Sequence, residues 1–193
     1  MQPQPVILCG LGRVGSRVLD FLRATALPIV VIDNSCAADD PRLENVRLIV
    51  VAGSRIIKPP VVARFPGRLV NFHSGLLPHY RGPYSEFWAM YQHRPDLIGC
   101  SVHLIDEGID TGPLLATRVA QLPDDRLTPQ QAHYLNVLQA VPTVAQTIAA
   151  YLRGELRPMP QPPGGQTYTH PSEDQIARMT QRIGRSFCVD FIE

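Results

Sequence analysis

The sequence predicts an α/β fold built on a doubly wound, mostly parallel β-sheet. Short apolar runs alternate along the chain with segments whose apolar residues recur at helical spacing, as in successive β-α units. The 193 residues, 45% of them hydrophobic, suffice for one compact domain with a small addition. We expect an α/β domain over residues 1–154, followed over residues 155–193 by a Pro- and Gly-rich linker and a C-terminal helix.

Four short strands are predicted in the first half of the chain. The apolar run 6–9 ends at glycines, as a buried strand does, and a helix with apolar residues at helical spacing follows over 13–25. Further strands are predicted over 29–32, 46–52 and 69–72, with a short helix over 59–65 that Pro66 and Gly67 end.

The second half predicts a helix over 84–92, two strands over 99–105 and 114–122 around an acidic loop, and two capped helices. The longer helix begins at Thr128, which can cap it, while Gln131 can close a capping box. We expect this helix to continue to Arg153 with a bend at Pro142. The last helix begins at Ser172, with Gln175 in the capping-box position, and ends before Gly184.

Charge and cysteine usage exclude several classes of protein. The 18 basic and 17 acidic residues give a net charge of +1, without the basic cluster of a nucleic-acid or membrane-surface protein. No apolar run is long enough to span a bilayer, and no charged segment suggests a signal peptide. The four cysteines form no CxxC pair and the histidines no HxxxH pattern, so we expect reduced thiols, no bound metal and a cytoplasmic location.

A glycine-rich turn follows the first predicted strand. Gly10, Gly12 and Gly15 open a helix, and Asp33 ends the next strand, in the order of a dinucleotide-binding fingerprint. Such glycines let a pyrophosphate approach a helix N-terminus, and the acid can bind a ribose. Residues 6–33 resemble the nucleotide-binding module of dehydrogenases and potassium-channel regulators. The turn can equally serve helix-strand packing or phosphate binding, with NAD as the third alternative.

A second group of polar residues lies at predicted strand ends. Asn71 and His73 alternate along one strand and therefore share a face, and Asp110 lies in an acidic loop after a later strand. An amide N–H and a ring N–H can stabilise an oxyanion, while a carboxylate can orient the histidine and move a proton. This chemistry suits acyl transfer to an amine, although an Asn-x-His at a strand end can also simply lock a loop.

Three further segments stand out along the chain. They are residues 53–59, residues 71–82 with the sequence NFHSGLLPHYRG, and residues 99–103 followed by 106–112 with the sequences GCSVH and DEGIDTG. In this order they resemble the pterin-holding loop, the signature and the second block of folate-dependent formyltransferases. That family uses 10-formyltetrahydrofolate and includes glycinamide ribonucleotide, methionyl-tRNA and amino-sugar formyltransferases. The resemblance implies a formyltransferase acting on a small, phosphorylated or sugar amine, with a Rossmann-like fold.

The resemblance also implies roles for individual residues. Asn71, His73 and Asp110 correspond to the catalytic asparagine, histidine and aspartate. The positions implied to hold the pterin are Arg55, Ile56, Ile57, Asp106, Glu107, Gly108 and Ile109. Those implied to lie near the phosphate of the amine substrate are Gly10, Gly12 and Arg13. His103 also matches a family position, but we expect an inward strand histidine to be structural.

Only a short loop separates Asp33 from Val46, where relatives carry a further β-α unit, so we expect a fold shortened by about one such unit. Three alternatives to the transferase stay open. A formyltetrahydrofolate hydrolase would need the same three residues, with water in place of the amine. A non-catalytic sensor would bind NAD or another nucleotide at the glycine turn, and a degenerate family member would fold without reacting.

Overall fold

The computed structural model describes residues 5–9, 16, 19–20, 23, 28–32, 41–52, 57–123 and 126–189. The strands are β1 (Val6–Cys9), β2 (Ile29–Ile32), β3 (Leu48–Ala52), β4 (Leu69–His73), β5 (Tyr80–Arg81), β6 (Gly99–Leu104), β7 (Leu114–Val119) and β8 (Gln166–Thr167). The helices are α1 (Pro59–Arg64), α2 (Ser85–Tyr91), α3 (Pro129–Leu152) and α4 (Glu173–Ile183). Residues 16, 19–20 and 23 are also helical, and 3₁₀ turns span Pro41–Leu43 and Pro95–Leu97.

Six strands form the main sheet in the order β2-β1-β3-β4-β6-β7. The first four of these are parallel, whereas β6 and β7 each pair antiparallel with the preceding strand in this order. The predicted mostly parallel sheet with flanking helices is therefore confirmed. Because β1 to β4 run in the same direction, their carboxyl ends open at one edge of the sheet, where α/β proteins bind ligands.

Both faces of the sheet are covered. On one face, Leu8, Val50 and Val70 pack with Val102 against α3 through Ile148 and its neighbours. On the other face, the alternate residues of the same strands, such as Ile7 and Ile49, pack with residues of α1. This double burial explains why β1 and β3 have continuous apolar sequences rather than alternating ones.

Both predicted capping boxes are present. The Thr128 hydroxyl accepts the Gln131 N–H, and the Gln131 side chain accepts the Thr128 N–H in return. Ser172 and Gln175 make the same reciprocal pair at the start of α4, and Gly184 ends that helix with a φ of +71°. The helix α3 runs continuously through Pro142, whose side chain is exposed.

Residues 159–170, which we call the strap, lie in the segment predicted to be a linker and pack against the domain. Met159 exchanges two backbone hydrogen bonds with Leu114 at the start of β7. Further along, β8 pairs with β5, and the Tyr168 ring stacks on Tyr80 and Trp88. The strap therefore joins the sheet edge to the segment that follows β4.

Among the described residues, no helix combines the length and the apolar character that crossing a bilayer requires.

Candidate active site

The site is built on the pairing of β4 with β6. In this antiparallel register Asn71 lies opposite His103, and His73 lies opposite Ser101. Side chains of directly opposed residues point to the same face, so Asn71, His73 and His103 share one face near the carboxyl end of β4. The Ser101 hydroxyl accepts the Leu77 N–H at 2.9 Å and donates to the Gly75 carbonyl at 2.7 Å, which fixes the turn after β4.

The Asp110 carboxylate lies where these side chains converge. Its Oδ1 accepts a hydrogen bond from Asn71 Nδ2 at 3.3 Å and lies 3.3 Å from His103 Nε2. Its Oδ2 lies 3.5 Å from His73 Nδ1 and accepts the Gly82 N–H at 2.9 Å. The structure therefore brings Asn71, His73 and Asp110 together, as the sequence predicted.

Asp110 is strongly disposed to remain ionised. Burial raises the pKa of this carboxyl group, but the charge of His73 and the hydrogen bonds from His103 and the Gly82 N–H outweigh burial. The net effect lowers the pKa of Asp110 far below its usual range. A carboxylate that is only 15% exposed and still charged has a strong local field, which suits it to orient a histidine and to stabilise a neighbouring positive charge.

The tautomer of His73 follows from its contacts. Its Nε2 lies 2.7 Å from the Tyr80 carbonyl, and a carbonyl only accepts, so Nε2 carries a hydrogen. The Ser85 hydroxyl is also 3.3 Å from Nε2. A Cβ at Gly75 would collide with His73 Nε2 and with the Ser85 hydroxyl, so only glycine fits there. With Nε2 occupied, Nδ1 is the ring atom that faces Asp110.

His103, expected to be structural, belongs to the same cluster. Its Nδ1 donates to the Leu104 carbonyl at 2.8 Å, which leaves Nε2 to face Asn71 Nδ2 at 3.2 Å and Asp110 Oδ1. The ring is buried and completes the wall behind the carboxylate. The signal that could have identified it is the pairing of the two strands, because opposed residues of an antiparallel pair meet on one face.

Two of the acidic-loop residues implied to hold the pterin have different environments: Asp106 is bonded within the loop, whereas Ile109 is exposed. Asp106 folds back on its own loop, since its Oδ1 accepts the Gly108 N–H at 3.1 Å and the Thr111 hydroxyl at 2.7 Å. Ile109 instead exposes 51% of its surface beside Asp110, although it is a large apolar residue. Glu107 and Gly108 are also exposed.

Of the remaining positions implied by the resemblance, only Ile57 lies among the described residues. Ile57 is half-buried and packs against the apolar cluster under α1. Arg55 and Ile56 lie outside the described residues, as do Gly10, Gly12 and Arg13. The glycine turn and its proposed ligands therefore stay a prediction.

A polar Asn-His-Asp centre at the carboxyl edge of a mostly parallel sheet defines an α/β protein with the means for acid-base or acyl-transfer chemistry. A family model described as formyl transferase matches residues 32–133, which is more than half of the chain. The chain belongs to the formyl transferase family.

Two relatives illustrate how the match is distributed. The methionyl-tRNA formyltransferase of Roseiflexus sp. (strain RS-1) is 36% identical over 121 residues, which cover 63% of this chain and 37% of that protein. The trifunctional purine biosynthetic protein adenosine-3 of Drosophila melanogaster is 43% identical over 83 residues, 42% of this chain and 6% of that protein. The chain thus spans well under half the length of these relatives.

Solved structures of other proteins align with a larger part of this chain than the sequence relatives do. The formyltransferase PseJ from Anoxybacillus kamchatkensis, solved with UDP-4,6-dideoxy-4-formamido-L-AltNAc and tetrahydrofolate, has a TM-score of 0.72 and 28% identity. The alignment covers 85% of each chain. A HypX variant from Aquifex aeolicus, with a TM-score of 0.74 and 18% identity over 90% of this chain and 32% of that one, shares the fold.

Proposed function

We propose that this protein transfers a formyl group from 10-formyltetrahydrofolate to the primary amine of a small acceptor. The observation that carries the proposal is the Asp110 carboxylate, held between Asn71 and His73 within the region that matches the family. The likeness to PseJ, whose crystal contained tetrahydrofolate, supports a folate as the formyl donor. The comparisons give the NAD alternative no support.

The proposed reaction divides its work among three side chains. The acceptor amine attacks the formyl carbon, a new C–N bond forms, and the carbonyl oxygen becomes an oxyanion. Asn71 donates to Asp110 Oδ1 and has its Nδ2 3.2 Å from His103 Nε2, so it turns one N–H away from these partners to reach the oxyanion. His73 can donate from Nδ1 only in its doubly protonated form, because Nε2 already carries a hydrogen. One donor of this kind is typically worth about 3 kcal/mol in the transition state.

Two proton transfers then complete the reaction. The attacking nitrogen becomes positively charged and passes a proton to Asp110, directly or through one water. Because its low pKa makes Asp110 a weak base, the carboxylate holds this proton only in transit. The bond between the formyl carbon and N10 of the folate breaks, and N10 takes up that proton. The products are the N-formylated acceptor and tetrahydrofolate.

The acidic loop suits the donor. Ile109 offers an exposed apolar surface beside Asp110, on which a flat pterin can pack, and the turn around Asp106 holds the loop in shape. We propose that Asp106 to Ile109, with Arg55, Ile56 and Ile57, form the pterin pocket. Gly10, Gly12 and Arg13 are proposed to bind a phosphate of the acceptor.

The acceptor is proposed to be an amino sugar carried on a nucleotide. PseJ was solved with a nucleotide-linked formamido sugar, and the chain aligns with 85% of PseJ, more than with the other named relatives. A phosphorylated amine on the glycine turn is consistent with the same chemistry.

The test is to incubate the protein with 10-formyltetrahydrofolate and a panel of nucleotide-linked amino sugars and phosphorylated amines, and to measure tetrahydrofolate and formylated product. Equal release of both supports the transferase. Tetrahydrofolate released without an amine indicates the hydrolase, while folate binding without turnover indicates a degenerate member. Binding of NAD without folate would contradict the proposal and favour the sensor.

A further inference from the structure

Gln161 of the strap contacts the main chain of the loop that contains Asp110. Its side-chain amide Nε2 donates to the Asp110 carbonyl at 2.7 Å and to the Gly112 carbonyl at 2.9 Å. The residue lies outside the part of the chain that matches the family model, which ends at residue 133. Nothing in the reaction proposed above involves it.

Arg81 binds the oxygen of the same side-chain amide. Its Nε and Nη2 donate to Gln161 Oε1 at 3.3 and 2.9 Å, so the orientation of the amide is fixed by a donor that cannot act as an acceptor. The next residue, Gly82, donates its N–H to the Asp110 carboxylate. Asp110 is therefore held at its side chain by Gly82 and at its carbonyl by Gln161.

The backbone of Asp110 needs such support. Its φ is +50°, in the left-handed region that is disfavoured for residues with a Cβ. A residue held in this region by surrounding contacts is free to relax when they are removed. Rotation at Asp110 would carry the carboxylate away from His73 Nδ1, from which it is already 3.5 Å distant.

We propose that Gln161 is a positioning residue for formyl transfer. It keeps Asp110 in the left-handed conformation that places the carboxylate against His73, and Arg81 sets the orientation of its amide. This inference rests on the proposed function, since the position of Asp110 matters for the proton transfers described there. In the simplest competing explanation, Gln161 only attaches the strap to the domain.

Two substitutions separate these explanations. Gln161→Glu keeps the acceptor for Arg81, now as an ion pair, but has no hydrogen for the carbonyls of Asp110 and Gly112. Gln161→Met keeps the length of the side chain and loses both sets of contacts. If attachment of the strap is what matters, Gln161→Glu should behave like the wild type. If the grip on Asp110 matters, it should be as impaired as Gln161→Met.

Gln139 provides a matched control. It makes the same kind of two-ended bridge, accepting the Gln121 N–H at 2.9 Å and donating to the Gln121 carbonyl at 2.8 Å, on an exposed surface. Gln139→Met should therefore show what the loss of such a bridge costs the fold.

We expect both Gln161 variants to lower kcat by about 10- to 100-fold, as supporting contacts around a site often do, with KM for the formyl donor changed less than about threefold. Thermal unfolding should match that of Gln139→Met, whose kcat should equal the wild-type value. Wild-type kcat in Gln161→Glu, or an equal loss of kcat in Gln139→Met, would overturn the inference.

A second readout needs no turnover. The NMR resonances of the His73 ring, recorded at one fixed pH, report how close the Asp110 carboxylate lies. We expect both Gln161 variants to move these resonances and Gln139→Met to leave them unchanged. Unchanged resonances in the Gln161 variants would contradict the inference whether or not an acceptor amine is found, whereas failure of the proposed function would show as a wild type without turnover.

Discussion

The Asp110 carboxylate receives contacts from three parts of the chain, and its chemistry depends on all of them. Asn71 comes from β4, His103 from β6, and the Gly82 N–H from the segment after β5. Each stabilises the charged form of the carboxylate more than the neutral form. A substitution at Asp110 therefore affects both the proposed reaction and the balance of charge within the site.

Asp110→Asn should lower kcat by about 10²- to 10⁴-fold, because an amide has nearly the same shape but cannot take up the proton that the amine loses. His73→Ala should have an effect of similar size, and the double variant should be far less impaired than the product of the two, since the residues act as a unit. Steady-state kinetics with a confirmed acceptor measure this. Near-normal kcat in both single variants would remove these residues from the reaction.

Asp110 should also make the fold acid-sensitive. Because its pKa is lowered in the folded protein, the stabilisation is present above the ordinary aspartate pKa of about 4 and is lost as the pH falls below it. We expect Asp110→Asn to lower the free energy of unfolding by about 1–3 kcal/mol at pH 6, and by less at pH 2.5. Urea unfolding at the two pH values tests this. Asp20→Asn, at an exposed side chain, is the control substitution.

At the scale of elements, interactions between residues close in sequence were predicted correctly, whereas pairings between residues distant in sequence were not. The capping boxes of α3 and α4 were predictable because each involves residues three positions apart. The strap was predicted to be a linker because its pairing partners, such as Leu114 and Arg81, lie far away in the sequence. His103 was set aside for a related reason, since its part in the site depends on the register between β4 and β6.

The capping box of α3 gives a prediction for this element. Thr128→Ala removes the acceptor for the Gln131 N–H and should lower the free energy of unfolding by about 1 kcal/mol. Thr128→Ser keeps the hydroxyl, and because serine caps helices at least as well as threonine, the contribution of the cap should be retained. Chemical denaturation of both variants measures the difference, and equal losses would show that the cap is not the cause.

For the whole molecule, the arrangement of the sheet was predictable from the sequence. Which side chains form the site at the carboxyl ends of the strands was not. Alternating strand and helix patterns indicated the parallel strands, and the carboxyl ends of β1 to β4 do lie at one edge. The roles proposed for Asn71, His73 and Asp110 came from a family resemblance, because their residue types alone are equally compatible with a locked loop. The geometry now shows Asn71 and His73 both in contact with the Asp110 carboxylate.

A folate analogue that cannot transfer its formyl group should stabilise the whole protein. At about 100 times its Kd, binding to the folded state alone contributes about 2.7 kcal/mol, which a thermal unfolding scan will detect as a higher Tm. Hydrogen exchange should slow at residues 106–110 in the same sample. NAD at the same concentration should change neither, and a Tm that rises only with NAD would contradict the folate site.

The opposition of Asn71 and His103 across β4 and β6 also limits how related chains can vary in length. Side chains along a strand alternate between faces, so inserting or deleting one residue between Cys100 and His103 would send His103 into the opposite face of the sheet. The same change in the connection that carries His93 leaves that alternation untouched. Length differences among functional relatives should therefore accumulate in that connection, and single-residue indel scanning should find β6 intolerant and the connection permissive.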